Sequence, residues 1–173
     1  MSRIILVTGG ARSGKSRYAE CLALPFGQPL GYLATCEPLD TEMDERVARH
    51  RERRGAEWVT LEEPLRVAES VAAHDGRFRA ILVDCITLWL SNLLLAHDDP
   101  EQVIEAVRGF TATFHNLATP LILVTNEVGM GIVPENHLAR LYRDLAGRAN
   151  ELLAAAADEV HVVISGIPLK LKG

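Results

Sequence analysis

The strongest constraint in this sequence is a junction. Ile4-Ile5-Leu6-Val7 runs through Thr8 straight into Gly9-Gly10-Ala11-Arg12-Ser13-Gly14-Lys15-Ser16. A short, continuous, β-branched apolar run is what a strand covered on both faces presents. The residues after it fit G-x-x-x-x-G-K-[ST], the P-loop pattern. Lys15 to Leu24 then has helical composition, ended by Pro25 and Gly27. Strand, glycine loop and helix in that order are what phosphate binding requires. Glycines let backbone N–H groups approach phosphate oxygens, and a helix N-terminus adds partial positive charge. Lys15 then reaches the β- and γ-phosphates, and Ser16 holds Mg²⁺. The other reading is an ordinary glycine-rich turn.

The alternation continues. Leu30 to Ala34 reads as a strand, Asp40 to Arg54 as a helix closed by Gly55, and Glu57 to Thr60 as a short strand. Leu65 to Ala73 reads as a helix with Pro64 near its first turn, and Ala80-Ile81-Leu82-Val83 as a buried strand ending at Asp84. Ile86 to Ala96 is apolar nearly all round and predicts a deeply packed helix. Glu101 to Leu117 predicts an amphipathic helix, Leu121 to Val124 a buried strand, and Asn136 to Ala157 the longest helix. Val160 to Ile164 predicts a final strand, after which Ser165-Gly166-Ile167-Pro168 opens a short basic tail. Apolar runs alternating with helices imply an α/β fold: a P-loop NTPase-type, mostly parallel sheet with helices on both faces.

At 173 residues, 48% hydrophobic and 24% charged, the chain is expected to form a single domain over 1–173 with one sizeable core. A net charge of -5 argues against a general nucleic-acid binder. The longest apolar segment, Cys85 to Ala96, carries Thr87, Ser91 and Asn92 and falls short of the ~20 residues of a membrane span. The apolar stretch after Met1 is too short for a signal peptide. Cys21, Cys36 and Cys85 form no Cys-x-x-Cys, so neither a disulfide framework nor a zinc ribbon is indicated, and a reducing cytoplasm is expected.

In open parallel sheets, ligands sit beyond the carboxyl ends of the strands. Thr35-Cys36, Asp84, Thr125-Asn126-Glu127 and Ser165-Gly166 follow the apolar runs. Asp84 stands where a P-loop protein places the carboxylate that orients Mg²⁺; the lesser and compatible reading is a cap on the helix beginning near Ile86. Asn126-Glu127 either binds substrate or caps its loop, and Gly129-Met130-Gly131 is either a hinge or a static turn. Thr125-Asn126-Glu127-Val128 is not the Asn-Lys-x-Asp guanine reader of regulatory GTPases.

The helix predicted over Asp40 to Arg54 is unusual. Glu42–Arg46 and Glu45–Arg49 are supporting i, i+4 pairs, while Arg46, Arg49, Arg51, Arg53 and Arg54 cluster in an acidic chain. Such a run is often a solvated face. Alternatively, guanidinium forks suit phosphate oxygens, and the surrounding charge favours a neutral, nucleophilic His50 facing an α-phosphate. His74, His97, His115, His137 and His161 read as surface or core residues without metal-ligand spacing.

Taken together, these motifs resemble the bifunctional adenosylcobinamide kinase / adenosylcobinamide-phosphate guanylyltransferase family of cobalamin biosynthesis. The carriers are Ile5 to Thr8 with the GGARSGKSR loop, Tyr32 to Thr35, Glu42-Met43 through Arg46 to His50-Arg51, and Val83 to Thr87 with Asn92 to Leu94. They continue with VTNEVGMGIVPEN from Val124 to Asn136, Arg143-Asp144, Gly147-Arg148, and Ala155 to Val160 ending in Ser165-Gly166-Ile167. The resemblance implies phosphorylation of adenosylcobinamide with ATP or GTP. Transfer of GMP from GTP to adenosylcobinamide phosphate follows, with release of pyrophosphate. The GMP travels on a histidine, whose matching position is His50. The neighbouring Arg49 is a second histidine in some members, so here only His50 can serve.

By the same resemblance, the nucleotide contacts fall on Gly9, Gly10, Ala11, Arg12, Ser13, Gly14, Lys15 and Ser16. They extend to Ala34, Thr35 and Cys36, to Arg51, Glu52, Arg53 and Arg54, and to Glu62 and Asp84. A homotrimer is implied, with the corrinoid near a subunit interface. Two rival readings are a small-molecule P-loop kinase with no covalent step and a non-catalytic, nucleotide-responsive binding module.

Overall fold

The computed structural model describes residues 2–36 and 55–173. The helix expected over Asp40 to Arg54 lies outside them. Residues Ile4–Gly9 form β1, Leu30–Ala34 β2, Trp58–Glu62 β3, Ala80–Asp84 β4, Leu121–Val124 β5, Glu159–Ile164 β6 and Ile167–Lys172 β7. They join one seven-stranded sheet in the order β3-β2-β4-β5-β1-β6-β7. Every neighbouring pair is parallel except β6–β7. The described helices are α1 Lys15–Ala23, α2 Val67–Ala73, α3 Ile86–His97, α4 Pro100–Thr113 and α5 His137–Ala156.

The continuous apolar runs are the central strands. β1, β4 and β5 are buried on both faces, so their side chains alternate between two cores rather than between core and water. On one face, Leu6, Val83 and Leu123 meet Trp89 and Leu93 of α3, Ile104 and Phe110 of α4, and Leu145 and Leu153 of α5. On the other, Ile5, Leu82 and Val124 meet Ala19 and Ala23 of α1. Each fully buried Ile or Leu contributes about 1.5–3 kcal/mol of transfer free energy. Dozens of such side chains define the sheet's register against slippage.

Local signals set the helix ends. Asn136 caps α5 by accepting from Ala139 N at 3.1 Å, and Asp99 caps α4 by accepting from Glu101 N at 3.0 Å, with Pro100 in the first turn. The α5 stripe Leu145, Ala146, Ala149 and Leu153 is the face the sheet covers. Trp89 is buried, donates Nε1–H to Leu65 O at 2.7 Å, and meets Phe110 edge-on at 5.6 Å.

Several sequence readings shift, and the helix expected over Glu101 to Leu117 ends at Thr113. α2 starts at Val67 rather than Leu65, and the third strand is Trp58–Glu62 rather than Glu57 to Thr60. The basic tail is a strand: Ile167–Lys172 folds back antiparallel on β6, pairing Val162 with Leu169 and Val163 with Pro168. Pro168 and two lysines argued for a tail, but an edge strand tolerates both. The period-two alternation of Ile167, Leu169 and Leu171 was the signal for it.

Candidate functional site

The carboxyl edge of the sheet gathers the residues expected to hold a nucleotide. Ala34 is the register partner of both Glu62 and Asp84, and Asp84 in turn of Val124, which pairs with Val7 just before the P-loop. Thus Glu62, Ala34, Asp84 and the start of Gly9 to Ser16 stand along one edge. Two strands, β4 and β5, separate the loop's strand from β2. That is three inter-strand spacings, roughly 14 Å.

Glycines and two backbone hydrogen bonds shape the loop. Gly14 sits at φ 93°, directly before Lys15 opens α1, a conformation L side chains rarely adopt. Arg12 also has positive φ. At Gly9, with φ 154°, an added Cβ would stand 2.5 Å from the Val163 carbonyl oxygen, so only glycine lets β1 pass this close to β6. Ser13 N donates to Gly10 O at 3.2 Å, and Gly166 N donates to Ser13 O at 2.9 Å, tying the loop to the β6–β7 turn. Lys15 is buried, with Nζ donating to Gly10 O at 3.0 Å. Gly10, Ala11 and Arg12 are exposed along the loop, and Ser16 is half-buried in the first turn of α1.

Among the described residues, Ser13 Oγ is buried and makes no hydrogen bond. An orphaned buried hydroxyl costs about 1–3 kcal/mol. A phosphate oxygen in the loop is the acceptor that would satisfy it, so the cradle fits a polyphosphate.

Asp84 is half-exposed at the end of β4, and its Oδ2 accepts from Tyr32 Oη at 3.1 Å. It does not cap α3: Cys85 occupies the N-cap position, and no side chain caps that end. The Asp84 carboxylate and the Ser16 hydroxyl are hard oxygen donors of the kind Mg²⁺ takes.

Thr35 has a different task from an open contact. It is fully buried; its hydroxyl donates to Cys85 O at 2.7 Å and accepts from Cys85 N at 2.9 Å. Asn92 Nδ2 donates to Thr35 O at 2.8 Å and to Pro64 O at 3.0 Å. Thr35 thereby braces β2 against β4, beneath the half-buried Cys36 and Ala34. Burial first, then the Asp84 charge, pushes the Cys85 thiol up to about 11. It is therefore a neutral packing group rather than a nucleophile.

Residues after β5 are locked from behind. Asn126 Nδ2 donates to Thr87 Oγ1 at 2.6 Å, Thr125 Oγ1 to Asn150 Oδ1 at 2.7 Å, and Asn150 Nδ2 to Asn126 O at 3.1 Å. Asn126 is thus a brace between β5 and α3. Glu127 turns the other way. Its backbone N donates to Gly9 O at 3.1 Å, and its Oε1 accepts from Thr8 Oγ1 at 2.5 Å. The sequence signalled that Glu127 follows a strand, but not that it is clamped to the P-loop. Beyond it, Arg143 Nη2 donates to Gly129 O at 2.7 Å, while Met130, Ile132 and Val133 project into solvent.

His50, Arg46, Arg49, Arg51, Glu52, Arg53 and Arg54 lie outside the described residues. The described chain leaves the sheet at Cys36, on the edge that carries the P-loop, and resumes at Gly55. Among the described residues, no helix is long and apolar enough to cross a membrane.

Comparison with known proteins gives one consistent answer. The sequence model of the family described as "Cobinamide kinase / cobinamide phosphate guanyltransferase" matches residues 5–171. The chain is 45% identical over 168 residues to the bifunctional adenosylcobalamin biosynthesis protein CobP of Pseudomonas aeruginosa, covering 97% of this chain and 96% of that protein. It is 47% identical over 181 residues to the bifunctional adenosylcobalamin biosynthesis protein CobU of Salmonella typhimurium, covering 98% and 99%. Among solved structures, a KaiC-like protein from Pyrococcus horikoshii OT3 superposes with a TM-score of 0.51 at 13% identity, covering 92% of this chain and 70% of that one. That likeness concerns the fold alone.

Proposed function

The chain belongs to the cobinamide kinase / cobinamide phosphate guanyltransferase family, and from that premise we propose how its residues divide the two reactions. The enzyme phosphorylates adenosylcobinamide with ATP or GTP. It then transfers GMP from GTP to adenosylcobinamide phosphate, giving adenosylcobinamide-GDP and pyrophosphate. One P-loop serves both steps. The observation that carries this reading is the orphaned, buried Ser13 hydroxyl inside the glycine loop.

Loop amides from Gly9, Gly10, Ala11, Arg12, Ser13 and Gly14 grip the triphosphate tail. Lys15 turns from Gly10 O to a terminal phosphate oxygen, exchanging a neutral acceptor for an anionic one, which is the stronger bond. Ser16 and Asp84 would hold Mg²⁺, which would supply charge neutralisation on the phosphate oxygens. The roughly 14 Å from β1 to β2 suits an extended nucleotide, so its nucleoside end lies towards Ala34, Cys36 and Glu62. His50 is the nucleophile that takes GMP at the α-phosphorus, with Arg51, Arg53 and Arg54 beside the phosphates and Glu52 among the nucleotide contacts. A covalent intermediate splits transfer between two bulky anionic partners into two easier steps.

Assembly as a homotrimer completes the reading. Ile164, Ile167, Leu169 and Leu171 are exposed at the β6–β7 edge, more apolar surface than a solitary edge strand usually leaves uncovered. Free thiols at Cys21, Cys36 and Cys85 suit the cytoplasm. The test is incubation with GTP labelled at the α-phosphate. Acid-labile, alkali-stable label on the protein, absent in His50→Ala, supports the reading; unlabelled parent protein removes the His50 covalent step.

A further inference from the structure

We infer that Glu127 is the catalytic residue that accepts the proton of the attacking hydroxyl in the kinase step, with Thr8 as its positioning residue. The inference rests on the bifunctional reading above and assigns a role that reading leaves empty: something must take that proton.

The placement is specific. In the sheet, β5 lies between the P-loop strand β1 and the Asp84 strand β4. Glu127, just past the end of β5, therefore stands at the carboxyl edge between the loop and Asp84. Two contacts fix it there. Its N–H bonds to Gly9 O, the first carbonyl of the loop, next to the Gly10 carbonyl that receives Lys15 Nζ. Its Oε1 takes the Thr8 hydroxyl at 2.5 Å. The side chain is only half-buried, and no hydrogen bond or ion pair engages Oε2 among the described residues.

Electrostatics narrows the role. A carboxylate beside a bound triphosphate is repelled by it, so its position makes sense only if the carboxylate meets a cation or a proton. Asp84 and Ser16 already supply the oxygen donors for a cation. Glu127, past the end of β5 between the loop strand and the Asp84 strand, is the remaining carboxylate there to take a proton. Its engagement with Thr8 orients one oxygen and leaves the other open, as a general base requires.

The step balances. The acceptor oxygen bonds to the γ-phosphorus while the bond from that phosphorus to the β–γ bridging oxygen breaks. The hydroxyl proton passes to Glu127 Oε2, and the nucleoside diphosphate leaves with the bridging oxygen. Glu127 later returns the proton to solvent. The guanylyl step begins on an imidazole and needs no such base at this place.

The experiment compares the parent with Glu127→Gln and Thr8→Val, using adenosylcobinamide and GTP. For Glu127→Gln, kcat of phosphorylation falls on the order of 100-fold or more, while KM for GTP, binding of a fluorescent GTP analogue, and the Mg²⁺ concentration for half-maximal binding change less than about twofold. α-Phosphate label on the protein is retained. Thr8→Val gives a smaller fall in kcat, on the order of tenfold, with the same unchanged nucleotide binding. Unchanged kcat in Glu127→Gln overturns the inference. So does a shifted Mg²⁺ requirement or loss of analogue binding, which would make Glu127 a metal or loop support. A parent protein that phosphorylates but takes no label leaves the Glu127 test intact and sinks only the covalent reading. A parent that does not phosphorylate sinks the kinase reading itself and this inference with it.

Discussion

Tyr32 Oη donates to Asp84 Oδ2 at 3.1 Å across the β2–β4 pair, so the carboxylate proposed to hold Mg²⁺ is aimed by a buried phenol on the neighbouring strand. Removing that bond leaves the carboxylate in place but freer to rotate. Tyr32→Phe is expected to raise the Mg²⁺ concentration for half-maximal GTP binding severalfold. It should lower stability by only about 0.5–1.5 kcal/mol, the worth of one hydrogen bond. Mg²⁺ titrations and denaturant unfolding read the two effects separately. An unchanged Mg²⁺ requirement would remove Asp84 orientation from the account.

Gly9 tests the loop's shape. A methyl group there meets the Val163 carbonyl oxygen, which is backbone and cannot swing away, at a φ of 154°. Gly9→Ala is expected to cost about 1–3 kcal/mol and to abolish tight nucleotide binding together. Thermal unfolding with and without GTP checks both; GTP should no longer raise Tm.

Glu159 gives a pH signature far from the site. Burial works to raise its carboxyl, but hydrogen bonds from Lys170, Arg3 and His161 outweigh that and hold it down at about 2, against an ordinary 4.5. An ionised Glu159 therefore stabilises the fold above pH 4.5, and that contribution fades as pH falls towards 2. Glu159→Gln should be less stable than the parent at neutral pH, and its stability should fall less steeply between those limits. Unfolding free energies across the acid range test this; parallel curves would contradict it.

The cysteines separate by reactivity. Cys21 is exposed, whereas Cys85 is buried and its thiol is pushed up to about 11. Alkylation of the native protein at pH 8, read by peptide mass, should modify Cys21 readily and leave Cys85 untouched until denaturant is added. Prompt modification of Cys85 would mean that the brace between β2 and β4 opens.

Much of this was legible in the residues. Ile4 to Val7 running into Gly9 to Ser16 fixes a strand, a loop and a helix, because continuous burial and glycine freedom are local properties. Asp84 could be placed at the carboxyl edge of the sheet because it ends an apolar run. What could not be read is which polar residues face inward. Thr35 and Asn126 read as contact candidates in a sequence; in the fold they, with Asn92, also brace strand ends. Their partners are 24 to 57 residues away, beyond any periodicity. The chain of hydrogen bonds from Tyr18 through His161 to Glu159 was hidden for the same reason. In Ile167 to Lys172, proline and lysine suggest a tail, and only a neighbouring strand makes the apolar alternation decisive.

The most direct test is the intact mass of the protein after mixing with GTP and Mg²⁺, with His50→Ala alongside. The parent should gain a single GMP and the variant none, with the adduct discharged by adenosylcobinamide phosphate. No adduct in the parent, or an adduct that persists in His50→Ala, would contradict this expectation.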